Sequence, residues 1–345
     1  MKTIAVIRTG GIGDVILSFV SLSVIRHNYP GASILWVGRE PTLDLVRNAF
    51  PEVIPVNIRS GNTYRQNLTL IRNSTAQIDL VIDLQRSARS ILLCALLRMK
   101  FNFRYVSWNK YSLPRSLFVL QAKLRGRKNN ISVYAKKLLS RRQAMAQCTL
   151  AGLNKLNISA DWSIDYFPNI DTGEKKEMRI AVCLGSLFPL KELPLERVIE
   201  FIRYLVDAYG TYSIVLLGSE DKHADGERII QKLDSALHIE NICGKTTLWR
   251  AASILQSCKF SLANDSALAH LSESVGTPVL MFFGPTHECF GYSPYLEKSR
   301  PFSLALGCRP CHKDGNRTCS FGDDKCRKDV NVSVLFPHIN YLLHD

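Results

Sequence analysis

Thr3-Ile-Ala-Val-Ile-Arg8-Thr-Gly10-Gly11-Ile-Gly13-Asp14-Val-Ile-Leu-Ser-Phe19 is the stretch whose reading decides the fold. It opens with a short apolar run rich in β-branched residues, passes through a glycine-rich turn and continues with helical spacing of Val15, Phe19, Leu22 and Ile25. A strand, a tight turn and a helix in that order form the first step of a parallel α/β sheet. The glycines allow close approach of backbone to a ligand, and the following helix start favours anions. The turn is not a dinucleotide fingerprint, since Ile16 stands where the third glycine belongs, and it lacks the Gly-Lys-Ser/Thr of a P-loop. Asp14 has two readings on chemistry alone: an N-cap for the helix, or a carboxylate placed as a general base.

The same alternation extends outward along the chain. Residues 33–37, 53–57 and 78–84 read as further strands of a first domain, and 133–152 as a helix. Residues 157–176 collect turn formers and charges without periodicity, which marks a linker. A second alternation follows, with strands at 178–184, 212–217, 239–242, 260–262 and 278–283 separated by helices, and a last helical stretch from Val330 to Leu343. The prediction is two Rossmann-like, doubly wound α/β domains, residues 1–165 and 178–329, with 330–345 as a C-terminal helix. Ligands are expected at the carboxyl ends of strands and in the crevice between domains.

Of 345 residues, 44 are Lys or Arg and 30 Asp or Glu, a net charge of +14. No acid occurs between Asp83 and Asp161, while sixteen cations lie from Arg86 to Lys155. The whole excess therefore sits in one block, which asks for an anionic partner: nucleic acid, substrate phosphates or an acidic membrane surface. A solvated face is the plainer alternative. Within the block Leu113, Leu117, Leu120 and Leu124 recur at helical spacing beside Arg115, Lys123 and Arg125. They suit either an interfacial helix or a helix packed on the domain core. Interleaved aromatics (Phe101, Phe103, Tyr105, Trp108, Tyr111) keep nucleic acid under consideration, but no nucleic-acid-binding module is present.

The composition, 46% hydrophobic and 21% charged, excludes a disordered, collagen-like or small disulfide-stapled chain. No apolar run is long enough to span a bilayer, and Arg8 and Asp14 interrupt the N-terminal one, so a cytoplasmic protein with at most peripheral membrane association is expected. Of ten cysteines, Cys308, Cys311, Cys319 and Cys326 fall within nineteen residues. In a reducing compartment that cluster reads as a structural zinc or iron site before it reads as free thiols or a disulfide.

The ordered motifs are recognisable as a set. Arg8-Thr-Gly-Gly-Ile-Gly-Asp14, Ser23-Val-Ile-Arg26 and Tyr29-Pro30 are followed by Gly185-Ser186 with Lys191 and Pro194. Leu217-Gly-Ser-Glu220, Asn264-Asp-Ser-Ala-Leu-Ala-His270 and Gly284-Pro-Thr286 complete the series. Together they resemble the bacterial ADP-heptose glycosyltransferases, the heptosyltransferase family (glycosyltransferase family 9). The resemblance implies a two-domain GT-B fold, with acceptor on the first domain, nucleotide sugar on the second, and a final helix returning to the first. It also implies inverting transfer of heptose from ADP-heptose to an acceptor hydroxyl, most simply in inner-core lipopolysaccharide, with no cofactor needed for the chemistry. Asp14 becomes the implied base and Lys191 the lysine at the diphosphate. Gly11, Gly13, Ser186, Glu220 (donor ribose), Asp265 (donor sugar), Ser266, Ala267 and His270 are the implied donor-binding residues. The competing readings are an N-cap for Asp265, a surface cap for Glu220, a chance exposed lysine for Lys191 and a satisfied core histidine for His270. Members that heptosylate autotransporter proteins carry iron on cysteines here, so a protein acceptor is the alternative to an anionic glycolipid. From another class, the alternative is a basic nucleic-acid- or membrane-binding adaptor on a degenerate GT-B scaffold. The resemblance adds the cytoplasmic face of the inner membrane as a partner.

Overall fold

The computed structural model describes residues 1–59, 61–110, 112–126, 140–160, 170–233, 238–316 and 318–344. The chain divides into two compact units, Met1–Lys110 with Arg141–Ile170, and Tyr111–Ser140 with Asp171–Asp345.

The first unit runs β1 (Thr3–Ile7), α1 (Ile12–Ser18), α2 (Val20–Asn28), β2 (Ser33–Gly38), α3 (Thr42–Ala49), β3 (Ile54–Asn57) and α4 (Tyr64–Ser74). It continues with β4 (Leu80–Asp83), α5 (Ala88–Arg98) and β5 (Arg104–Ser107). A helix over Ser112–Arg125 (α6) belongs to the second unit, and α7 (Arg141–Lys155) returns to the first. The five strands are parallel in the order β3-β2-β1-β4-β5. Their apolar runs are buried because helices cover both faces of a parallel sheet. Ala5, Ile7, Leu35, Val37 and Val81 meet Leu93 and Leu97 of α5 in one core cluster. The single helix expected after Asp14 is two, separated at Phe19, whose ring packs edge-on against Trp36 and Phe50.

The second unit continues with β6 (Arg179–Cys183), α8 (Leu195–Tyr209), β7 (Ser213–Leu217), α9 (His223–Lys232), β8 (Ile239–Asn241) and α10 (Leu248–Ser257). Then come β9 (Ser261–Asn264), α11 (Ala267–Ser274), β10 (Val279–Phe282), β11 (Arg300–Phe302), α12 (Lys325–Lys328) and α13 (Phe336–His344). Its six parallel strands lie in the order β11-β10-β9-β6-β7-β8. Two features of the chain's path concern this unit. The helix Ser112–Arg125 groups with it, within the stretch 1–165 that the sequence reading gave to a first domain. The C-terminal helix also spends its apolar face here: Ile339, Leu342 and Leu343 join the core beside Phe201 and Leu205, and Phe336 stacks on Tyr204. α8 supplies the apolar groove that α13 needs.

Candidate functional site

In an open parallel sheet, ligands bind outside the carboxyl ends of the strands where the strand order reverses. In the first unit the reversal falls between β1 and β4, and in the second between β6 and β9. The sequence-derived candidates gather at those two places, each described within its own unit.

In the first unit Gly11 precedes α1 and Gly13 lies inside it, so Asp14 sits in the first helical turn. The N-cap reading of Asp14 is thereby replaced, because Gly11 holds the cap position and the Asp14 side chain has other partners. Arg8 Nη2 is 2.8 Å from Asp14 Oδ2, and Arg141 Nη1 is 2.6 Å from Oδ1. Arg8 is buried and fixed, donating to Leu84 O just beyond β4. Trp108 Nε1 donates to that same carbonyl at 2.7 Å. The Trp108 ring carries the Arg8 and Arg141 guanidinium groups 5.9 and 5.6 Å from its centroid. Burial and the Arg8 charge lower the pKa of Lys110, with Asp14 acting against them. Two guanidinium groups hold the carboxylate in place by charge-assisted hydrogen bonds. Sequence reasoning identified Asp14 but missed Arg8 and Arg141 as its partners. Arg8, a cation ending an otherwise apolar strand, was the available signal; Arg141, 127 residues from Asp14, offered none.

In the second unit Lys191 Nζ lies 2.8 Å from Asp265 Oδ2, with the two side chains 15% and 4% exposed. Lys191 is thus no chance surface lysine. Thr286 Oγ1 donates to the same Asp265 oxygen at 2.9 Å. Asp265 precedes the helix cap, which is Ser266, and Ala267 begins α11, so Asp265 is not the N-cap that the plainer reading required. Gly185, at φ +80°, follows β6. The next residue, Ser186, donates its amide to Glu192 Oε1 at 3.0 Å, while its buried hydroxyl oxygen has no hydrogen-bond partner among the described residues. A buried hydroxyl so placed calls for a ligand or water to satisfy it. Lys222 Nζ closes on Glu192 Oε2 at 2.8 Å, and its side chain lies where a Cβ on Gly185 would fall. Glu220 opens a short 3₁₀ turn with Ser219 at its cap, and Gly244 leaves room for its backbone. His270 is buried within α11, its ring tilted against Tyr292.

The cysteine segment folds onto this edge. Gly315, at φ +75°, lies against Lys191 so closely that a Cβ there would come within 2.5 Å of Lys191 Cγ. Buried Arg309 anchors the segment by donating to the carbonyls of Phe283, Gly284, Leu304 and Thr286. Burial pushes the Cys311 thiol up to about 12 and Cys326 to about 11; the neighbouring thiols add to both, and Arg309 opposes the rise at Cys326. Among the described residues, however, no three Cys, His, Asp or Glu side chains converge as metal ligands. The expectation of zinc or iron on Cys308, Cys311, Cys319 and Cys326 therefore has no support from this arrangement.

The sequence model described as glycosyltransferase family 9 (heptosyltransferase) matches residues 69–321. A stretch of 137 residues is 30% identical to lipopolysaccharide heptosyltransferase 2 of Salmonella typhimurium, covering 39% of this chain and 38% of that protein. The fold is similar to that of E. coli ADP-heptose lipopolysaccharide heptosyltransferase II, with a TM-score of 0.72 at 19% identity over 100% of this chain and 99% of that one. It is also similar to the iron-containing dodecameric glycosyltransferase TibC of enterotoxigenic E. coli, with a TM-score of 0.56 at 11% identity over 99% of this chain and 76% of that one. With two parallel α/β sheets, polar clusters at their reversal points and a family match over well more than half its length, the chain belongs to glycosyltransferase family 9, the heptosyltransferases.

Proposed function

We propose that the protein transfers heptose from ADP-heptose to a hydroxyl of a lipopolysaccharide core acceptor by a single inverting displacement. The observation that carries this reading is the Lys191–Asp265 pair at the reversal point of the second sheet, beside the unsatisfied Ser186 hydroxyl. A nearly buried ammonium there suits a diphosphate leaving group. In the proposed reaction the acceptor oxygen attacks the anomeric carbon and its proton passes to Asp14. The bond from that carbon to the β-phosphate oxygen breaks, and ADP leaves with its charge taken up by Lys191 and the first amides of α11. Glu220 holds the ribose hydroxyls, Asp265 faces the donor sugar, and His270 lines the phosphate site. No described helix is long and apolar enough to cross a membrane; the protein acts from the cytoplasmic side, on an acceptor held at the membrane surface.

The test is incubation with ADP-heptose and a heptose-deficient core glycolipid, read by mass. The acceptor gains one heptose, and Asp14→Asn lowers kcat by about 10²- to 10⁴-fold while ADP-heptose still binds. Full activity in Asp14→Asn would remove the base assignment. Mass gain on an autotransporter fragment but not on the glycolipid would instead favour the protein-acceptor reading, and DNA retardation without nucleotide-sugar binding would favour the adaptor.

A further inference from the structure

The four leucines that recur along α6 are all exposed: Leu113 by 70%, Leu117 by 56%, Leu120 by 53% and Leu124 by 81%. At 3.6 residues per turn they fall within about a 60° arc. Helix burial explains why they are free. Phe118, Ala122 and Arg115, on the opposite side, are buried, and Phe118 meets the rings of His287 and Phe290 edge-on. The side of α6 that packs on its own unit is therefore already used, and the leucine row is a second apolar face.

Exposed Lys123 borders that row, and residues 111–140 carry seven Lys and Arg with no acid. An apolar stripe on a helix set in cationic sequence is the chemistry of a helix lying in a lipid interface. The same charge opposes stacking of this face on a second copy of itself. We propose that α6 docks the protein on an anionic phospholipid bilayer through Leu113, Leu117, Leu120 and Leu124. The inference rests on the reading that the acceptor is membrane-held, but its test does not use the acceptor.

The purified full chain is pelleted with phosphatidylcholine vesicles and with vesicles containing about a third phosphatidylglycerol. Binding to the anionic vesicles is expected, weakening as salt rises. The double variant Leu117→Ser/Leu120→Ser should lose about tenfold in vesicle affinity, with unchanged ADP-heptose affinity and unfolding midpoint. Equal pelleting of variant and wild type would overturn the proposal. So would equal affinity for the two vesicle types, or a concentration-dependent dimer that the same substitutions dissolve. Loss of ADP-heptose turnover with vesicle binding intact would count against the enzymatic reading and leave this one standing.

Discussion

Asp14 has both carboxylate oxygens engaged by guanidinium groups, yet the two arginines are not equivalent. Arg8 is enclosed and tied to a backbone carbonyl, whereas Arg141 enters from the first residue of α7. Arg8 therefore orients the carboxylate, and Arg141 closes on its other oxygen. At the other site Lys191 is held by Asp265 in the same fashion. Lys191→Met is expected to lower kcat/KM for ADP-heptose by about 10²- to 10³-fold, with Lys191→Arg recovering part of the loss; steady-state kinetics at varied donor checks it. A variant with unaltered kcat/KM would separate this lysine from the leaving group. Both acids were legible from sequence because each stands at a strand-to-helix junction next to glycine or asparagine. Of their cationic partners, Lys191 was named from its motif, whereas Arg141, 127 residues from Asp14, left no local pattern to read.

Among the elements, the cysteine segment and α6 carry the most specific expectations. Gly315 adopts a backbone conformation that suits glycine, and its missing side chain makes room for Lys191. Gly315→Ala should cost about 1 kcal/mol of stability and raise KM for ADP-heptose more than it changes kcat, because Lys191 must shift. An unchanged KM would show that the loop does not position the lysine. His287, against which α6 packs, has its pKa pushed down to about 4 by burial and by the Arg309 charge. Its Nδ1 accepts from Cys289 N at 3.1 Å, which requires that nitrogen to be unprotonated. Protonation thus favours the unfolded chain: the contribution of this group is complete above about pH 6.5 and drains away as pH falls towards 4, by up to about 3 kcal/mol. Urea midpoints between roughly pH 7 and pH 4.5 should fall less steeply in His287→Asn than in the wild type. The short strands β5 and β11 escaped the sequence reading because three or four residues flanked by charge or proline show no periodicity. The strands at 3–7, 33–38 and 213–217 were evident because their apolar runs are longer and bounded by turns.

At the scale of the whole molecule, the division into two sheets was readable from the repeated strand–helix alternation, and their parallel order followed from it. What escaped was the path of the chain. The helix Ser112–Arg125 groups with the second unit while Arg141–Lys155 belongs to the first, an exchange that no compositional break announces. Dissection at a linker is then not a neutral operation: a cut near residue 170 strands α6 on the wrong piece. The fragment 171–345 would expose the His287 and Phe290 rings that Phe118 covers. It should unfold at least about 3 kcal/mol more easily than the same unit in the intact chain, with dye-accessible apolar surface. An unfolding midpoint equal to that of the intact chain would contradict this. A gene cut at its most obvious boundary would yield two incomplete folds, so co-expression of the halves, rather than either alone, is the route by which activity should return.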